Sequence, residues 1–226
     1  MTALFTQMSV GQVKVTYLER LKVTKQMEPQ MANPKVAQMV KDKLKQMDRS
    51  SSLYYNGGQS LYEPEKKKEE QTANVIVQSM GGIGCVYKDA NSQEIITQES
   101  ILDRQFLIVE KMPVVTWILD KETKKIGKFD CHKAHTEKGE TAWYCPEIKI
   151  ADGPSIYSGL PGLILALELE GKEYVMQSID FNYSKGPIEK PTKGKKISRN
   201  DFIKLKDKKM KEMNISSGGS VKVIKM

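Results

Sequence analysis

The side chains best suited to covalent or metal chemistry gather in one stretch of this chain. Cys131, His132 and His135 lie close together in CHKAH, and Cys145 follows. Thiols and imidazoles are ordinary zinc ligands, and together they can form a nucleophile with its base. The spacing argues against both uses. Alternation along a strand sends Cys131 and His132 to opposite faces. His135 shares the Cys131 face but lies about 13 Å further along an extended chain. No residue is placed to orient an imidazole. Glu94, Glu99, Asp103 and Glu110 show no pairing for acid–base work. No catalytic residue, metal or cofactor is expected.

The cysteines have another use. A loop over 136–140 would set His135 opposite Thr141, and therefore Cys131 opposite Cys145. At a non-hydrogen-bonded position such a pair is close enough for a disulfide, which an oxidising compartment favours. A register slip of one residue would leave two free thiols. Gly81-Gly82-Ile83-Gly84 is a possible phosphate cradle by composition, but no helix start or Lys-Ser/Thr follows it. It reads as a loop entering a strand.

Binding is the other chemistry on offer. Trp117 and Trp143 are the two tryptophans, and an indole with its single donor suits a pocket wall as well as a core. With Tyr144 and Leu160 they form the candidate ligand-binding set. Leu160-Pro161-Gly162-Leu163 reads as a type II turn, with proline presetting φ and Gly162 supplying φ > 0. Gly159, Pro161 and Gly162 are thus expected to be structural. After the turn, Leu163, Leu165, Leu167 and Leu169 point to one face, and Ile164 and Ala166 to the other.

These residues are held by a pattern dominated by period two. Val13, Val15, Tyr17, Leu21 and Val23 alternate with polar residues in a long first strand. Asn33-Pro34 starts a helix over 34–48, where Val36, Met39, Val40, Leu44 and Met47 form a stripe read as core. Asn56-Gly57-Gly58 is a hairpin turn. From Gly84 strands are expected at 84–89, 94–101, 104–110, 113–120, 125–135, 141–150, 162–170 and 173–183, with turns including Lys121–Thr123. Ser198 caps a last helix over 198–213. The expected class is α+β, predominantly β. It comprises a large curved antiparallel sheet, an open or half-closed barrel, covered by the early and the C-terminal helix. The expected divisions are a signal-peptide remnant over 1–7, a β domain over 8–197, the helix over 198–213 and a flexible basic tail over 214–226.

The chain has 226 residues, enough to bury a core without disulfide support, and 39% apolar with 28% charged residues marks a globular protein. No apolar run approaches the ~18 residues of a membrane span. Net charge is +8, yet residues 1–184 carry 23 Lys/Arg against 24 Asp/Glu. The excess sits after residue 184, with 13 Lys/Arg against 4 Asp/Glu. Such a tail suits an anionic surface, but it resembles no nucleic-acid motif and Phe202 is its one aromatic.

Gly159–Ile164 spells GLPGLI. Its surroundings include Trp117, Lys125-Ile126, Cys131-His132-Lys133-Ala134, Ala142-Trp143-Tyr144, Glu147-Ile148 and Gly153-Pro154. On these residues the chain resembles the GLPGLI family of exported proteins from Bacteroidota-type bacteria, whose function is unassigned. Where relatives tend to carry a small polar residue, this chain has Cys145. The resemblance implies export to the periplasm or envelope and transfers no catalytic residue. The expected function is a non-enzymatic binding module holding an apolar or amphiphilic ligand, or a peptide, on the concave face of the sheet. The alternative is an accessory protein of the envelope, without internal ligand, that contacts a lipid surface or another envelope protein.

Overall fold

The computed structural model describes residues 12–65, 83–184 and 186–212. The expected leader remnant and the basic tail lie outside them, as do Gly81 and Gly82. The described elements are β1 Val13–Leu21, α1 Pro34–Gln46, β2 Arg49–Asn56, β3 Gln59–Pro64, β4 Ile83–Asp89, β5 Glu94–Ile101, β6 Arg104–Lys111, β7 Ile118–Ile126, β8 Phe129–His135, β9 Thr141–Cys145, β10 Leu163–Leu169, β11 Lys172–Asp180, β12 Lys195–Lys196 and α2 Arg199–Glu212. The chain is predominantly β, with one early and one late α-helix.

The elements divide into two compact units, Met1–Glu65 with Pro113–Ile188, and Lys66–Met112 with Glu189–Met226. In the first unit the strand order is β3-β2-β1-β11-β10-β9-β8-β7, antiparallel at every described pairing. The first strand behaves as its period demands. Val13, Val15, Tyr17 and Glu19 are buried on one face, here termed inner, while Lys14, Thr16 and Leu18 are half-buried on the other. Leu53, Ile164 and Leu167 join the inner face and are fully buried. Burying such side chains stabilises each by about 1.5–3 kcal/mol.

Two joints differ from expectation. Lys121–Thr123 is not a turn: β7 runs through it, and the register against β8 shifts between Leu119 and Thr123. The reversal comes at Gly127-Lys128, where Gly127 has φ +58°. A two-residue hairpin needs positive φ, which glycine adopts without strain and which Lys121–Thr123 has no glycine to supply. Asn56-Gly57-Gly58 does turn the chain, with Gly57 at φ +57°.

The early helix begins as expected. Asn33 Oδ1 accepts from the amides of Lys35 and Val36, and Pro34 occupies the first turn. Its apolar stripe, however, is not core. No residue of α1 is buried, and Met39 is 71% exposed. Period alone announces an apolar face; the neighbour that would bury it is a tertiary fact.

The second unit has strand order β12-β6-β5-β4, and β12 runs parallel to β6. Here the late helix is a true cover. Phe202 of α2 packs with Ile101, Phe106 and Ile108, flanked by Ile197 and Leu205. Ser198 Oγ accepts from the amide of Asp201, capping the helix.

Candidate functional site

The GLPGLI segment is a packing device of a different kind from the turn expected. Gly162 does not have positive φ; Gly159 does, at +90°. The amide of Gly162 donates to Leu160 O at 2.8 Å, a γ-turn centred on Pro161. Gly162 is required for closeness instead. A Cβ there would lie 2.6 Å from the Cys145 carbonyl carbon and 2.8 Å from Pro146 Cα. The next contact has the same character: a Cβ on Gly153 would meet the side chain of Ile164 at 2.8 Å. Around them the Leu163 amide donates to Ile148 O, the Ile164 amide to Asp152 O, and Tyr17 OH to Ile164 O. The segment joins three stretches of backbone and presents no reactive group.

The four residues expected to bind ligand do not converge. Trp117 donates Nε1–H to Ser158 O at 2.9 Å and tilts against Tyr157, whose phenol is pushed up to about 12 by burial and by Glu140. Trp143 and Tyr144 are consecutive in β9 and so project to opposite faces. Lys124 Nζ sits 4.0 Å over the Trp143 ring, while Tyr144 lies beside His132. Leu160 is fully buried.

The β8–β9 register is the expected one, His135 opposite Thr141 and His132 opposite Tyr144. Thr136 N donates to Glu140 O across the loop, so by alternation the next position after His132 and Tyr144 is a non-hydrogen-bonded one. Cys131 and Cys145 therefore face each other. Both are nevertheless free, buried thiols, as is Cys85. Burial, and secondarily Cys145, pushes the Cys131 thiol up to about 11, which keeps it protonated and unreactive. His135 does have an orienting partner, Asp120 Oδ2 at 2.9 Å, which the irregularity in β7 brings there. Cys131 remains four strand residues away, beyond proton transfer. Among the described residues no group of three or more His, Cys, Asp or Glu could hold a metal ion.

The arrangement that sequence reasoning missed lies at one end of the first unit's inner face. Glu19 occupies the fourth inward position of β1, after Val13, Val15 and Tyr17, and is 2% exposed. Its Oε2 accepts from Arg49 Nε at 2.9 Å and from Lys172 Nζ at 2.6 Å. Its Oε1 accepts from Ser51 Oγ at 2.5 Å and Tyr62 OH at 2.8 Å. Register explains the gathering: Glu19 pairs with Arg49 on β2 and with Tyr174 on β11, and Leu21 with Lys172. Lys172 Nζ lies 4.5 Å over the Tyr174 ring, and Tyr62 packs between the rings of Tyr17 and Tyr174. Burial alone would raise the Glu19 carboxyl, but the charges of Lys172 and Arg49, with the hydrogen bonds, hold it at about 2. Burial and the Glu19 charge push the Tyr62 phenol far up, so it stays a donor. One carboxylate faces two cations, and Arg49 and Lys172 are 39% and 24% exposed. The signal was present in the sequence: an acid on the apolar phase of an amphipathic strand.

A family model described as "Protein of unknown function (Porph_ging)" matches residues 135–166, which span β9, the γ-turn segment and the start of β10. No curated protein matches the chain. Among solved structures the chain is similar to PNGF-II in two crystal forms. In P21 the TM-score is 0.58 at 13% identity, and in C2 it is 0.55 at 12%. Each match covers 86% of this chain, which spans only about a third of PNGF-II, 33% and 32%. At that identity the likeness concerns the fold alone.

Proposed function

We propose that this chain is an exported, non-enzymatic binding module, and that its ligand is amphiphilic and meets the protein at the Glu19 end of the first unit's inner face. One observation carries the reading: a fully buried carboxylate anchors two cations that reach solvent, beside three tyrosines. The middle of that face is already filled by Val13, Val15, Tyr17, Leu53 and Leu167, all fully buried. The ligand site is therefore the rim, where Arg49 and Lys172 emerge, rather than a deep cavity. The reading is a binding one because the cluster offers charges held by hydrogen bonds, with no poised nucleophile or base within it. Native mass spectrometry of gently purified full-length protein, with solvent extraction of bound lipid, tests the reading. A retained amphiphile that is released by Arg49→Gln supports it; a ligand-free protein that takes up no amphiphile on incubation overturns it.

A second reading is favoured by a different observation. β7 ends the first unit's sheet, and its start is apolar and open: Leu119 is 56% exposed and Ile118 is also exposed, with Val114 in the segment just before the strand 88% exposed. Unpaired strand edges with apolar side chains recruit other strands. On this reading the chain is an accessory protein that docks an extended segment of an envelope partner. Replacing Ile118 and Leu119 by lysine would then abolish co-purification with envelope fractions while leaving the melting temperature unchanged.

A further inference from the structure

The Glu19 cluster also specifies what kind of head group it would take. All of its acceptor capacity is engaged, since Oε2 receives Arg49 and Lys172 and Oε1 receives Ser51 and Tyr62. One negative charge therefore answers two positive ones. Three further acids bring this end to four acids and four cations, but they meet Arg20 and Lys22, not Arg49 or Lys172: Asp48 and Glu173 engage Arg20, and Glu168 and Glu173 engage Lys22. Arg49 uses one of its three nitrogens, Nε, on Glu19; among the described residues no partner meets Nη1 or Nη2. A guanidinium has five N–H donors in a planar fork, so its far edge is free for a planar pair of oxygens.

Resting on the binding-module reading, we propose that the ligand carries a compact oxyanion, a carboxylate or a phosphate monoester, held by Nη1 and Nη2 of Arg49 with Lys172 alongside. The fork is preorganised. The Nε contact to a buried, immobile carboxylate fixes the guanidinium plane, and the Tyr174 ring under Lys172 Nζ fixes the ammonium. Preorganised charges lose little freedom when they bind. Leu21, half-buried two residues beyond Glu19 on the same face, offers apolar contact for the first carbons behind the head group.

Isothermal titration calorimetry on the full chain tests this with three probes of equal chain length, below their micelle concentrations: decanoate, decyl phosphate and decan-1-ol. A charge-assisted fork contact corresponds to roughly ten- to hundred-fold in affinity. At least one anion should bind tighter than the alcohol by that factor, and whichever anion is preferred identifies the source of the oxyanion. Arg49→Gln should erase the preference. Because that variant leaves Glu19 with a single cation, Arg49→Lys is its partner: it keeps the charge on Glu19 and lacks the fork, and it should lose most of the preference with an unchanged melting temperature. Equal binding of alcohol and anions, or a preference that survives Arg49→Lys, overturns the oxyanion proposal and leaves the binding-module reading standing. Failure of all three probes to bind overturns both.

Discussion

In each unit an arginine answers a buried carboxylate, and the two clusters invert each other. In the second unit Arg199 of α2 has a partner at every nitrogen. Its Nε and Nη2 donate to Glu110 at 3.0 and 2.8 Å, its Nη1 to Glu99 at 2.6 Å, and Nη2 also reaches Thr97 at 3.3 Å. Two acids answer one cation, and every guanidinium nitrogen is used to tie a helix to a sheet. In the first unit two cations answer one acid, and Arg49 is tied by one nitrogen. The comparison separates a clamp from a socket. An arginine whose three nitrogens all have partners inside the protein does structural work, whereas one that is oriented by a single nitrogen is available to something else.

The largest effect expected from breaking either cluster comes at Glu19. Glu19→Leu would leave Arg49 and Lys172 facing each other and strand the buried donors of Ser51 and Tyr62. The expected loss is about 3–5 kcal/mol of stability, read by chemical denaturation. Acid acts on the same group more gently. The Glu19 carboxyl lies at about 2 in the folded protein, against 4.5 as its ordinary value. Its stabilisation is therefore fully present above pH 4.5 and is lost as pH falls from there towards 2, amounting to roughly 3 kcal/mol. Glu19→Gln should flatten that part of the stability–pH profile, and an unchanged slope would contradict the assignment.

A steric reference inside the first unit sharpens the contrast. Gly162→Ala presses a methyl group into the Cys145–Pro146 backbone, which has no side-chain freedom with which to yield. It should cost about 2–3 kcal/mol with no effect on decanoate affinity, checked by melting and titration of the same sample. Arg199→Ala should cost about 2 kcal/mol and appear first as faster amide exchange in α2, because Glu99 and Glu110 lose their partner at the helix start. Arg49→Lys is the smallest: less than about 1 kcal/mol, since an ammonium can still answer Glu19. If Arg49→Lys proves as destabilising as Arg199→Ala, both arginines are clamps.

Much of the architecture could be read from the sequence, and what escaped has physical causes. Strands with clean alternation, such as Val13–Leu21, and turns with paired signals, such as Asn56-Gly57-Gly58, declare themselves because their period and φ requirements are local. The β8–β9 register followed from loop length for the same reason. Gly162 misled because glycine serves two purposes, positive φ and the absence of a Cβ, and only the approach of Cys145 distinguishes them. The stripe of α1 misled because amphipathicity does not name a partner. The candidate site escaped because Glu19, Arg49 and Lys172 are distant in sequence and meet through the pairing of β1 with β2 and β11. Trp117 and Trp143 attracted notice by residue type, but Trp117 spends its donor on Ser158 and Trp143 projects to the face opposite its neighbour Tyr144.

The most direct test of the clamp and the socket is to watch both guanidinium groups at once. In the full-length protein, side-chain nitrogen NMR resolves the Nε–H of each arginine and the rotation of its Nη groups. Before ligand, Arg199 should show slow, hindered Nη rotation and Arg49 fast rotation. Titrating decanoate should slow the Nη groups of Arg49 and shift its Nε–H, while Arg199 stays unchanged. An Arg49 that is already hindered without ligand, or that does not respond to saturating decanoate, would contradict the account.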